Sequence, residues 1–349
     1  MKNELKKKYN PKNKRSKKWR YLIIFLAVLV IGFVGTFFLK TSFTISQITQ
    51  EEESEPDFTE TRVLPEDNPD LTNILVIGMR SGDEPGEGWY LADAMVVVSL
   101  NEKTNQVALI SIPRDLYVDI YGLEGEDKHR INFAYAQCGM GCAKNTVSWV
   151  TGLHIDYGVS ANFHAVIELV DAIGGVEVDL EEDFEERLQW GKEGWPGSEY
   201  WVVEKEDDEE YWVFRVSEGQ HVLNGTTTLY YVRSRFSTSD FDRMRRQQQV
   251  LLSIKEKLLS LGFLTNPVKV YNLLDILGKN IRTDMSTSQI AGFLRKINDF
   301  DLDNVETLMF TSAPDDLLYE TFVNGEYVLL PVGDNFDIIR QECLNIFNS

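Results

Sequence analysis

Cysteine and histidine are scarce in this chain. Its 349 residues hold three Cys and four His. The histidines are scattered and show no ligand spacing, which argues against a zinc-type centre. Cys138 and Cys142, four apart in AQCGMGCAK, read as a small disulfide loop if the segment lies outside the cytoplasm. Cys343 is then left alone, as a small apolar residue on the last helix. No internal repeat occurs. Positive charge is the other shortage: from Lys40 onward, 25 basic side chains stand against 54 acidic ones. A domain that acidic is a poor non-specific binder of nucleic acid, because phosphate backbones need a basic footprint. Any anionic ligand must therefore meet a local basic cluster.

Apolar residues are plentiful. They make up 43% of the chain, with 19 Phe, 14 Tyr and 7 Trp, enough to bury a sizeable core and to exclude general disorder. Basic charge is concentrated at the start, where residues 1–20 carry ten Lys or Arg and one Glu. Tyr21–Leu39 follows, nineteen residues without a charge. As a helix it would span about 28 Å, close to the ~30 Å of a bilayer's hydrocarbon core. A cleaved signal peptide would have a shorter apolar run and a small-residue cleavage site; Lys40-Thr-Ser-Phe-Thr-Ile offers none. The expected layout is a basic cytoplasmic tail at 1–20, a transmembrane helix at 21–39, an acidic stalk at 40–70 and an extracellular domain at 71–349.

Within that domain, short apolar runs predict strands at Asn73–Gly78, Ala94–Leu100, Gln106–Ile112 and Val176–Leu180. Helical periodicity marks 145–151, 163–173, 226–232 and 240–259, with Gly174-Gly175 as a stop. Strands alternating with helices predict a single α/β domain around a mixed central sheet. Residues 181–219, acidic and rich in Trp and Tyr, read as an exposed hairpin excursion. Its Trp190, Trp195, Trp201 and Trp212 fit either sugar contact or ordinary aromatic packing.

Arginine clusters in four places: Pro113-Arg114-Asp115 at the end of an apolar strand, His129-Arg130-Ile-Asn132, Arg233-Ser-Arg235, and Asp240-Phe-Asp-Arg243-Met-Arg-Arg246-Gln247 opening a long helix. Each alone reads as a salt-bridged surface arginine. Together they suit a pyrophosphate, since guanidinium groups offer paired donors and a helix start favours anions. Asp93, Asp115, Asp240 and Asp242 among them could hold Mg²⁺ or act as a base. Spacing alone supports an anion site of the phosphoryl-transfer kind.

The ordered set Asn73-Ile-Leu-Val-Ile-Gly78, Ala92-Asp93, Ile112-Pro-Arg114-Asp115, Arg130-Ile-Asn132, Leu169–Val176, Tyr231-Val-Arg233-Ser-Arg235 and Asp240–Gln249 resembles the LytR–CpsA–Psr family of bacterial cell-envelope proteins. It covers a motif core of about 71–255. The resemblance implies an α/β/α domain that transfers a glycopolymer from a polyprenyl-pyrophosphate carrier to peptidoglycan, leaving a phosphodiester link, beside the membrane and without nucleic acid. It further implies catalytic roles for Arg114, Arg243 and Asp240, and pyrophosphate binding by Arg114, Arg130, Arg233, Arg235, Arg243 and Gln247. Mg²⁺ is the implied cofactor, with Asp93 as a ligand. One departure stands out. The family pattern has Asp two residues after the first strand's Gly, and here Arg80 follows Gly78-Met79. Two readings stay open: Asp83 takes the metal ligand's place, or Arg80 itself neutralises the phosphate. Hydrolysis of the same pyrophosphate and non-catalytic binding of wall polymer remain competing functions.

Overall fold

The computed structural model describes residues 62–79, 91–122, 128–187, 199–206, 209–235, 238–260, 281–296, 299–313 and 316–348, with isolated positions between 273 and 280. The tail at 1–20, the apolar run at 21–39, Arg80, Asp83, Trp190 and Trp195 lie outside the described residues. Among those described, no helix is long and apolar enough to cross a membrane. Arg62, inside the segment read as stalk, already belongs to the folded body. Its guanidinium donates to the carbonyls of Asp119 and Ile120, both at 3.1 Å, and lies over the Trp149 ring at 5.2 Å.

In chain order the elements are β1 (Leu71–Met79), β2 (Ala92–Asn101), β3 (Gln106–Ile112), β4 (Tyr117–Val118), β5 (His129–Arg130), α1 (Phe133–Thr151), β6 (Tyr157–Asn162), α2 (Phe163–Ile173), β7 (Val176–Leu180), β8 (Phe184–Glu186), β9 (Trp201–Glu206), β10 (Glu209–Val216) and β11 (Gly219–Leu223). Then follow α3 (Gly225–Arg233), α4 (Asp240–Ser260), β12 (Ile281–Thr283), α5 (Thr287–Lys296), β13 (Val305–Met309), β14 (Leu318–Val323), β15 (Glu326–Pro331) and α6 (Asp337–Asn345). The central sheet has the order β12-β6-β1-β2-β3-β13. β1 and β6 run parallel, as do β3 and β13; the other neighbours are antiparallel. The sheet is therefore mixed, as the alternation of apolar runs and helices predicts.

Strand periodicity divides the side chains between two faces. Leu75, Ile77, Met95, Val97, Ala108 and Ile110 face α1 and α6, in a core with Val147, Val150, Ile339 and Cys343. Val76, Ala94 and Val96 face α2, α3 and α4 across a cavity. The result is an α/β/α sandwich. A second core lies beyond the helical layer, around Val170, Val176, Phe214, Leu223 and Val250.

That second core corrects the exposure expected of 181–219 and bears out ordinary aromatic packing for Trp201 and Trp212. The described part forms a three-stranded sheet, β8-β10-β9, packed onto the body. Trp201 is buried and Phe214 is fully so, and Trp212 packs against the same cluster. Glu186 is buried on the core side opposite Phe214, and other acidic residues occupy the outer face of these strands. Glu185 and Glu204 there pair with Arg187 and Arg215.

α1 begins well before the periodic stretch at 145–151. The helix breaks at Cys138 and Gly139, the latter at φ 76°, and the Cys138–Cys142 disulfide spans the break. The cysteine pair therefore sits in a kinked helix, where the sequence suggests a loop. Cys343 is a free, buried thiol on α6.

Candidate active site

β3 ends in the turn Pro113-Arg114-Asp115, whose backbone is held from three directions. Asn132 N donates to Arg114 O at 3.3 Å, Leu116 N to Pro113 O at 3.2 Å, and Leu329 N to Asp115 O at 3.0 Å. The turn therefore presents Arg114 from rigid backbone at the end of a buried strand, the place where α/β sheets gather ligands. Asp93 lies beside it at the start of β2. The β1–β2 register shifts at Gly78/Met79, a bulge of the kind that re-aims side chains next to sites.

α4 supplies the opposite wall. Arg243 and Gln247, four apart on one helical face, both line the cavity. Arg233 ends α3, and Ser234 after it is extended (φ −61°, ψ 131°); Arg233 and Arg235 both reach the cavity. The Arg233 guanidinium stacks over Phe163 at 4.4 Å, a cation–π contact that fixes its plane. The close approach of α3 to α2 depends on Gly225: a Cβ there would stand 2.1 Å from Ile167 O.

These residues surround a cavity of about 680 Å³. Its wall is apolar along the sheet and helices (Val76, Val96, Val159, Val166, Leu169, Ile254), and one end carries Asp93, Arg114, Arg233, Arg235, Arg243 and Gln247. Arg114 is the hub of the polar end. Its Nη1 donates to Asp93 Oδ1 at 2.8 Å, and its Nε lies 3.4 Å from Asp115 Oδ2 and 3.6 Å from Asp240 Oδ2. Arg243 Nη2 donates to the same Asp240 oxygen at 2.7 Å.

Burial would lower the pKa of Arg114, but Asp240, Asp115 and Asp93 outweigh it and hold the group above its ordinary value. Arg243 goes the other way. Burial lowers it first, Asp240 offsets part of that, and the like charge of Arg114 lowers it further. Its Nε is buried with no hydrogen-bond partner among the described residues. An anion at this end would supply the missing acceptor and relieve the repulsion between the two guanidinium groups.

Arg130 stands outside the cavity wall. It joins the network through Asp115, which accepts from Nη1 at 3.3 Å, and donates from Nη2 to Glu326 Oε2 at 2.9 Å. Asp240 likewise joins through Arg114 and Arg243 and is no part of the wall. Arg246, inside the same arginine-rich motif, points into the second core and has a purely internal set of partners. Two further residues escape sequence reasoning. Gln248, almost fully buried, donates to Ser111 Oγ at 2.9 Å and ties α4 to β3; it sits in the arginine-rich motif that opens α4, but nothing in the spacing singles it out. Glu326 lies far outside the motif core, and no local signal marks it.

Asp93 fits a Mg²⁺ ligand in type, being a hard oxygen donor on the cavity wall with its side chain 31% exposed. Among the described residues, three metal-capable side chains converge only at Asp67, His154 and Asp156. That group lies near the start of β1, where Asn73 N donates to Asp156, at the far end of the strand from Gly78.

An apolar cavity closed at one end by guanidinium groups has the shape and charge to take an amphiphilic anion. The chain belongs to the LytR_cpsA_psr family, whose family model matches residues 35–343. It is 31% identical over 245 residues to the polyisoprenyl-teichoic acid–peptidoglycan teichoic acid transferase TagT of Bacillus subtilis, covering 69% of this chain and 68% of that one. It is 27% identical over 267 residues to the transferase of the same description, TagU, of Enterococcus faecalis, covering 76% of each. The crystal structure of B. subtilis TagV has the same fold, with a TM-score of 0.60 at 23% identity over 81% of this chain and 99% of that one.

Proposed function

We propose that this protein transfers a glycopolymer from a polyprenyl-pyrophosphate carrier to peptidoglycan. The observation that carries the reading is the cavity itself, apolar along its length and closed by arginines. A prenyl chain suits the apolar wall, and a pyrophosphate suits the guanidinium end. The relatives TagT and TagU, named as teichoic acid transferases, support the same chemistry.

A peptidoglycan hydroxyl oxygen attacks the phosphorus that bears the glycan. The bond from that phosphorus to the oxygen bridging the two phosphates breaks, and polyprenyl phosphate leaves with the electron pair. The hydroxyl proton passes to a carboxylate, for which Asp240 is the candidate. The glycan is left on peptidoglycan through a phosphodiester. Arg114, Arg233, Arg235 and Arg243 orient the pyrophosphate and balance its charge, which is most of what phosphoryl transfer asks of a protein. Gln247 adds an amide at the same wall. A Mg²⁺ held by Asp93 would neutralise further phosphate charge. Arg80 and Asp83 belong to the segment between β1 and β2, and each has a place in this reading: Asp83 as a second metal ligand, or Arg80 as an added cation. The protein works at the outer face of the cell membrane, held there by residues 21–39.

The test is reconstitution of the full-length protein with a synthetic polyprenyl-pyrophosphate glycan, Mg²⁺ and a peptidoglycan oligomer, read by mass spectrometry. Wild type should form the phosphodiester conjugate. Arg114→Ala should lower the rate on the order of 100-fold or more. Released polymer phosphate without conjugate would instead establish a hydrolase.

A further inference from the structure

The polar end of the cavity has two sides. The sheet with α2, α3 and α4 forms one, and the donor's lipid belongs there. The other side is the hairpin β14–β15, none of whose residues line the cavity although its backbone and side chains are tied to the same charges. Leu329 N donates to Asp115 O at 3.0 Å. Glu326 Oε2 accepts from Arg130 at 2.9 Å, and Arg130 in turn reaches Asp115. Tyr327 packs against the main core. Its hydroxyl is pushed up to about 12, by burial first and then by the charges of Glu320, Asp115 and Asp240. The phenol thus sits among the carboxylates of the site.

Phe322 is the direct cross-strand partner of Tyr327. The two rings meet edge to face, with centroids 6.0 Å apart. By strand alternation Leu318, Glu320 and Phe322 share one face with Leu329 and Tyr327. Leu318 and Leu329 are buried at 2% and 1%, whereas Phe322 is 71% exposed. The row therefore starts in the core and ends in solvent next to the arginine network. A large aromatic held at that place contributes little to the core.

We propose that Phe322 and Tyr327, with Glu320 on the same face, form the acceptor subsite, a platform for the pyranose rings of the peptidoglycan strand whose hydroxyl attacks. The inference rests on the transfer reading above and names where the second substrate binds. Three arguments support it. The leaving polyprenyl phosphate occupies the cavity side, and in-line displacement brings the nucleophile from the side opposite the leaving group. An aromatic face stacks on the apolar C–H face of a sugar, and carboxylates accept from its hydroxyls. Tyr327 packs on the core and meets the Phe322 ring edge to face, so the exposed ring is backed by a fixed one before any sugar arrives.

The experiment uses the full-length protein in detergent, with a short uncross-linked glycan of alternating N-acetylglucosamine and N-acetylmuramic acid as probe. Glycan binding is read by saturation-transfer NMR, and transfer by acceptor and donor KM. Phe322→Ala should weaken glycan binding and raise the acceptor KM about tenfold, the scale of one good aromatic contact. The donor KM should stay within about twofold, and Phe322→Trp should restore binding. An acceptor KM unchanged in Phe322→Ala, while conjugate still forms, overturns the subsite and leaves the transfer reading intact. Conversely, Phe322-dependent glycan binding with no conjugate from wild type sinks the transfer reading and keeps the subsite. No glycan binding by wild type, or equal loss of donor and acceptor affinity in Phe322→Ala, overturns the inference.

Discussion

Arg243 and Arg246 stand three positions apart on α4 and carry opposite duties. Arg243 turns to the cavity, pairs with Asp240 and keeps one buried donor without a partner among the described residues. Arg246 turns away from it and spends its donors on the scaffold. Nε reaches Tyr231 O at 3.0 Å and Nη1 reaches Thr238 Oγ1 at 3.2 Å, while Nη2 donates to Ser234 O. Its guanidinium also lies over Phe184 at 4.5 Å. Burial lowers its pKa to about 10, a sign of how little water reaches it. Arg246 thus locks the end of α3, and with it Arg233 and Arg235, onto α4. Replacing it by Leu leaves buried carbonyls without donors, which costs about 2–3 kcal/mol after the relief of desolvation is counted. Arg246→Leu should therefore lower the denaturant midpoint clearly, whereas Arg114→Ala acts first on turnover. Denaturant unfolding beside transfer kinetics separates the two. An Arg246→Leu protein of wild-type stability would refute the scaffold role.

At the scale of elements, α4 owes its starting point to a reciprocal cap. Asp242 N donates to Ser239 Oγ, and Ser239 N donates to Asp242 Oδ2, both at 3.1 Å. This arrangement satisfies two helix-end groups at once. Burial works to raise the Asp242 carboxyl, but the Ser239 bonds and then Arg245 prevail and hold it below the ordinary 3.8. A depressed carboxylate contributes stability that is fully present above its unfolded value and is lost as pH falls through the folded one. Asp242→Asn should thus cost about 1 kcal/mol or less near neutrality, since the side chain is 41% exposed. The gap to wild type should close below about pH 4. Thermal melts of both proteins across pH 3–7 would show this, and a gap that widens in acid would count against it. The helix itself is readable from sequence, at 240–259 expected and Asp240–Ser260 found, because caps and periodicity are local. α1 is not so readable. Gly139 and the cysteine pair interrupt its periodicity, and the continuity of the element comes from packing and the Cys138–Cys142 bond.

For the whole molecule, charge asymmetry sets the expected layout. With nine surplus positive charges ahead of Tyr21, the expected orientation leaves the tail inside and the α/β/α body outside. Arg62 docks on the body, so at most 22 residues join the apolar run to it, a tether of up to about 70 Å. Protease added to intact protoplasts should remove a C-terminal tag and spare an N-terminal one; the reverse pattern would overturn the orientation.

By itself, the sequence determined the strands β1, β2, β3 and β7, the helices α2, α3 and α4, the mixed α/β class, the cysteine pair and the family. These follow from period, turn chemistry and motif order, all of which act over a few residues. Only the tertiary structure decided which arginines of each motif face the cavity. It alone placed Arg130 behind Asp115, packed the acidic excursion through Trp201 and Phe214, and brought the hairpin β14–β15 to the same charges. The contact from Arg130 to Glu326 spans 196 positions of sequence. No local pattern encodes such a meeting, because it exists only once both segments have packed against the one sheet.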